Sequence, residues 1–138
     1  MATVVVGFVP KPEGEAAVRA AITRVQEQGG RLVVVTALRQ GETDAEWIAK
    51  TRDELAAARG WLDAARVDYS VHESEIDAEI DAADDLVHVA REERADLIVI
   101  GIRRRTATGK LILGSQAQRI LLDAPCPVLV VKPASSAV

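Results

Sequence analysis

Apolar and polar residues follow two rhythms along this chain. "TVVVGF" (Thr3–Phe8), "RLVVVTAL" (Arg31–Leu38), "ADLIVIG" (Ala95–Gly101) and "PVLVVKP" (Pro127–Pro133) are short runs, rich in β-branched residues, that are apolar on consecutive positions. A strand covered on both faces reads this way, so the first three segments predict buried strands of a parallel sheet, while "PVLVV", also apolar on both faces, is expected at a sheet edge. "VDYSVHE" (Val67–Glu73) alternates apolar with polar residues instead, as a half-exposed or edge strand does. Between these runs the apolar spacing becomes helical. Ala16, Val18, Ala21, Ile22 and Val25 make one stripe over Glu15–Gln28, closed by Gly29-Gly30. Trp47, Ile48, Leu55, Ala58 and Leu62 make another over Ala45–Ala65, capped by Thr43 or Asp44, with Gly60 marking a bend. Ile80, Leu86, Val87 and Ala90 face inward over Asp77–Glu93, and a short helix covers Ser115–Leu122 until Pro125 and Pro127 stop further helix. "VPKPEG" and "RQGETD" hold too many breakers for regular structure and predict loops.

The order is therefore β-α-β-α-β-α-β-α-β, with crossovers long enough for right-handed parallel connections. It predicts a three-layer α/β/α sandwich around a five-stranded, mainly parallel sheet. The 138 residues show no repeat or linker, so one domain over 1–138 is expected, with a frayed tail at 134–138.

Charge narrows the function. The net charge is −4, yet Leu97–Leu122 contains no acid and carries Arg103, Arg104, Arg105, Lys110 and Arg119. That stretch stands at +5 and the remainder at −9. A nucleic acid would meet mostly like charge, which argues against a general polyanion binder. The lone Cys126 excludes an internal disulfide and a Cys-rich metal site. No apolar run approaches the roughly 18 residues of a membrane span, and "MATVVVGF" lacks the basic and apolar regions of a signal peptide. A cytoplasmic protein with no membrane or nucleic-acid partner is expected.

The local positive charge falls in "GIRRRTATGKLILGS" (Gly101–Ser115), which leaves a strand and enters a helix. In open α/β sheets ligands bind beyond the carboxyl ends of the strands, where strand order reverses. Gly101 allows a close backbone approach there. Gly114-Ser115 opens a helix whose free amides and dipole favour an anion, with Ser115 as cap or phosphate donor. Lys110 and the three arginines can neutralise phosphate. A solvated basic face with ordinary glycine punctuation explains the same residues, and both readings stay open. The loop is not a Walker motif, since Leu111 follows Gly109-Lys110 where Ser or Thr is required.

Other polar residues add little chemistry. His72 and His88 lack a ligand or catalytic partner at a recognisable spacing and are expected at the surface. Asp77, Glu79, Asp81, Asp84 and Asp85 lack calcium-loop spacing and suit a solvated helix start. Cys126 is expected as a small buried apolar group, and Trp47 and Trp61 as packing residues. No Ser-His-Asp or Cys-His arrangement is present, so a dedicated enzyme is not expected.

"ADLIVIG", "GKLILGS" and "APCPVLVVKP", in this order and spacing, resemble the universal stress protein family, whose signature is Gly-x2-Gly-x9-Gly-Ser/Thr after the fourth strand. The resemblance implies a Rossmann-like fold of the adenine nucleotide alpha-hydrolase type, strand order 3-2-1-4-5. It also implies a homodimer whose fifth strands meet antiparallel through Val128, Leu129, Val130 and Val131. Members divide into ATP binders carrying the signature and non-binders lacking it. Gly101, Gly114 and Ser115 match, whereas Arg104 stands at the second glycine and Val9-Pro10-Lys11 replace an Asp-Gly-Ser-like turn after strand one. For a nucleotide binder the resemblance implies phosphate contacts from Gly101, Arg103, Arg104, Gly109, Lys110, Gly114, Ser115 and Gln116. Base and sugar would lie over Gly7, Val9, Pro10, Val35 and Thr36. The ligand would be ATP or a related adenine nucleotide, with or without Mg, and the protein a stress-response sensor. The alternative is a ligand-free dimer that recruits a protein partner.

Overall fold

The computed structural model describes residues 2–39, 45–76, 82–102 and 113–133. The elements are β1 (Thr3–Phe8), α1 (Pro12–Gln28), β2 (Arg31–Arg39), α2 (Ala45–Ala65), β3 (Asp68–Ile76), α3 (Ala82–Glu92), β4 (Leu97–Gly101), α4 (Ser115–Asp123) and β5 (Val128–Val131). The five strands form one sheet in the order β3-β2-β1-β4-β5, and every pairing is parallel.

The consecutive apolar residues of the strands are shared between two cores, because successive side chains point to opposite faces. Val4, Val6, Phe8, Leu32, Val34, Leu97 and Val99 pack under α1 and α2 against Ala17, Val18, Leu55, Ala58 and Leu62. Val5, Val33, Val35, Ile98 and Ile100 pack under α3 and α4 against Ala83, Leu86, Val87, Ala90 and Ile120. The three layers follow directly.

Several expected boundaries move. α1 starts at Pro12, inside the segment read as a loop, because proline is tolerated at the first helical position, where its missing N–H has no intrahelical acceptor. Ala17 is fully buried, while Ala16 is half-buried. β3 runs on to Ile76. α3 is described from Ala82, so Asp77 and Ile80 lie outside the described residues, as do the caps Thr43 and Asp44. Helix α2 passes through Gly60 without a break. Ala95 and Asp96 belong to the turn before β4, where Arg94 has φ 54° and the Ala95 amide donates to the Ala90 carbonyl at 2.9 Å. Among the described residues no helix is long and apolar enough to cross a membrane.

Candidate functional site

Strand order reverses between β1 and β4, so the crevice at their carboxyl ends is the place to look for a ligand. On the β1 side the chain leaves Phe8 and exposes Val9, which is 40% accessible. Pro10 is buried, and the Lys11 amide donates to the Val9 carbonyl at 2.8 Å, closing a tight turn into α1. Gly14 lies against that turn, where any Cβ would run into the Val9 carbonyl.

Gly101 ends β4 beside Val131 of β5. A Cβ here would collide with the Glu13 carbonyl, so the missing side chain admits the first turn of α1. The close backbone approach read from the sequence therefore exists, and its partner is Glu13. Beyond it, the Ile102 amide donates to the Val131 carbonyl at 2.8 Å. Arg103, Arg104, Arg105, Gly109 and Lys110 lie outside the described residues.

The chain re-enters the crevice at α4. Gly114, not Ser115, is the N-cap, with φ −69° and ψ 168°, and no side chain caps the helix. Ser115 is the first helical residue and is exposed, as is Gln116. The first turn contains no acid, so its amides and dipole present uncompensated positive potential. The start of α3 lies alongside and differs. Asp84 and Asp85 stand in its first turn, and the Ala83 amide donates to Gln116 Oε1 at 2.9 Å. Arg119 pairs with Asp84 at 3.3 Å, and Arg91 donates to the Asp123 carbonyl at 2.9 Å, so the two helices are laced along their length. Of the pair, α4 is the end suited to an anion.

Gly7 is half-buried in mid-sheet, Val35 belongs to the core beneath α3, and Thr36 is 1% exposed with an unpartnered hydroxyl at the carboxyl end of β2. Glu13 is the residue that sequence reading missed. It is a buried acid whose only signal was its place in the first turn of a helix.

The remaining candidates separate by location. His72 and His88 are exposed, and His88 pairs with Glu92 on its own helix. The acidic cluster is not wholly solvated, since Asp85 Oδ2 is buried without a partner. Cys126 is half-buried, not fully buried. Burial pushes its thiol pKa up, aided by the negative charge of Asp96. The hydrogen bond to Asp63 raises that of Tyr69. Both groups lie near the amino ends of their strands, away from the crevice. Among the described residues no cluster of His, Cys, Asp or Glu could hold a metal. A groove of about 470 Å³ between α1 and α2, with Arg19 stacked 4.3 Å over Trp61, is also remote from the crevice. The side chain of Trp47 lies outside the described residues.

The family model described as "Universal stress protein family" matches residues 1–132. The chain belongs to the universal stress protein family. A universal stress protein of Mycolicibacterium smegmatis is 35% identical over 130 residues, covering 94% of this chain and 97% of its own. The structure of a universal stress protein from Archaeoglobus fulgidus superposes with a TM-score of 0.79 at 32% identity, covering 96% of this chain and 98% of its own. A structure of the universal stress protein from the same organism in complex with dAMP has a TM-score of 0.72 at 27% identity, with the same coverage of both chains. The fold and strand order expected of the family are those found here.

Proposed function

We propose that this family member is a cytoplasmic stress-response sensor that binds an adenine nucleotide, or a closely related phosphate ligand, between β4 and α4. The observation that carries the reading is the start of α4. It has a glycine N-cap, no capping side chain and no acid in its first turn, while the neighbouring α3 has both acids and a side-chain acceptor. A phosphate there would satisfy free amides and meet the positive dipole end. The ligand chemistry is supported by the similar Archaeoglobus protein, whose structure is a complex with dAMP. The basic run Arg103–Arg105 and Lys110 supplies charge on the same loop. Magnesium, where present, would be carried by the nucleotide's phosphates.

Calorimetric titration with ATP, ADP, AMP and cyclic AMP tests this reading. Binding of at least one is expected, and Gly114→Val should abolish it by obstructing the backbone amides. Silence for all four in the wild-type protein would sink it.

A second reading has its own support. Gly101 is explained by the Glu13 carbonyl and Gln116 by the Ala83 amide, so two signature-region residues have structural work without a ligand. In that case the chain is a ligand-free dimer that recruits a protein partner. A partner captured equally from nucleotide-free and nucleotide-supplemented extracts favours it, and a copurifying nucleotide counts against it.

A further inference from the structure

We infer that α4 is a self-recognition surface: a second copy of the chain packs its own α4 against the flank that carries Leu121 and Leu122. Of the four large apolar side chains exposed among the described residues, Leu121, Leu122 and Leu129 lie on α4 and β5, and only Val9 lies elsewhere. Single apolar residues are ordinary on a surface, whereas several together mark an interface.

The sides of α4 do different work. Ala117, Ile120 and Ala124 pack on the core beneath α3 and α4. Gln116, Arg119 and Asp123, spaced three and four apart, meet α3 at Ala83, Asp84 and Arg91. Helical spacing leaves Gln118, Leu121 and Leu122 on the remaining side, turned away from α3. α3 lies over β1, β2 and β3, so that side looks out over β5, the open edge of the sheet. Its chemistry suits its own copy. A residue near a two-fold axis meets its duplicate, so a charge there repels itself. Gln118, Leu121 and Leu122 are neutral, while Arg119 and Asp123 are kept on the α3 side.

The open edge supplies the axis. β5 pairs with β4 on one side only, and antiparallel pairing with its copy in a continuous sheet sets the two-fold perpendicular to that sheet. Equivalent faces then stay together, and α4 lies beside its duplicate on one of them. On the other, Leu129 meets its duplicate, since it is in register with Val99 of the α1–α2 core. Size requires both contacts. β5 is four residues long, about 13 Å of ladder, while a stable interface takes about 800 Å² from each partner. The leucines of α4 add the apolar area that so short a strand lacks.

Charge exchange at Leu121 tests the seam. Leu121→Glu and Leu121→Lys each place like charges on both sides of the axis. Each should lower the light-scattering mass from about twice the 14.8 kDa chain to the chain mass itself, at the same micromolar concentration. An equimolar mixture sets Glu against Lys and should restore the double mass. Circular dichroism and a thermal melt check that each variant is folded. Should the Leu121 variants fail to fold, the same exchange is made at Leu122, which is 84% accessible and has little packing to lose. Folded single variants that stay dimeric would leave β5 as the whole seam and overturn the role of α4. A mixture that stays at the chain mass would show that the two copies of α4 do not meet, and a monomeric wild type would overturn the surface altogether.

Discussion

Thr36 holds a hydroxyl in an apolar setting. The residue is 1% exposed and its Oγ1 has no partner. An orphaned buried polar group costs about 1–3 kcal/mol. Thr36→Val keeps the shape and the β-branch, so the ligand-free variant should gain about 1 kcal/mol in urea unfolding, at the low end of that penalty. A lower midpoint would show that the hydroxyl is satisfied after all. Two glycines should respond in opposite directions. Gly60 is exposed in the middle of α2 with open space around its missing Cβ, so Gly60→Ala should stabilise by about 0.5–1 kcal/mol. Gly101→Ala drives a methyl group into the Glu13 carbonyl and should cost about 1–3 kcal/mol, the usual scale of overpacking. Thermal melts of the two variants beside wild type check both signs. A harmless Gly101→Ala would mean that the α1 turn yields easily, leaving ligand approach as the main reason for glycine there.

At the scale of elements, α3 and α4 share one apolar core and are joined by polar contacts of unequal value. The Arg119–Asp84 pair has both side chains nearly half exposed, at 48% and 47%, and pairs of that kind contribute little. The bond from the Ala83 amide to Gln116 satisfies a helix-start donor that no residue of α3 itself is seen to cap. Gln116→Ala should therefore cost about 1 kcal/mol, as a lost N-cap does. It should also speed hydrogen exchange at Ala83, read by NMR, more than Arg119→Ala does. Equal protection in both variants would show that another acceptor replaces Gln116. The sheet edges differ as well. β3 alternates its exposed positions with Asp68, His72 and Glu73, which discourages pairing with another chain. β5 presents only apolar side chains, with Leu129 at 38% exposure and Leu121 of the adjacent helix at 40%.

At the scale of the whole molecule, that contrast predicts the assembly. An apolar edge strand with unpaired N–H and C=O groups invites another strand, and pairing with its own copy about a two-fold axis closes the assembly. Val128 and Val130 are turned to the α3–α4 core and Val131 to the α1–α2 core, so the alternation of β5 is already used within the chain. Leu129 is left as the residue for a partner copy to cover. We expect light scattering to give about twice the 14.8 kDa chain mass at micromolar concentration. Leu129→Asp should shift the protein toward monomer or aggregate. A wild-type monomer would mean that Lys132 and the chain after it shield the edge.

Periodicity and composition alone determined that strands alternate with helices, that β1, β2 and β4 are covered on both faces and that β3 is the wet one. Each of these follows from solvent contact, which selects residue type position by position. The strand order came from the family resemblance, because an apolar run does not state which neighbour it pairs with. The start of α1 was misplaced because Pro12 breaks a helix everywhere except at its first turn, and only the folded backbone shows which case applies. Three features required the tertiary structure. Gly101 faces the Glu13 carbonyl across 88 residues of sequence, Gln116 serves the amide of Ala83, and Glu13 is buried although its neighbours in sequence look like an ordinary solvated helix start. In each case the deciding partner lies on another element, and sequence patterns report the exposure of a position far better than the identity of the group that covers it.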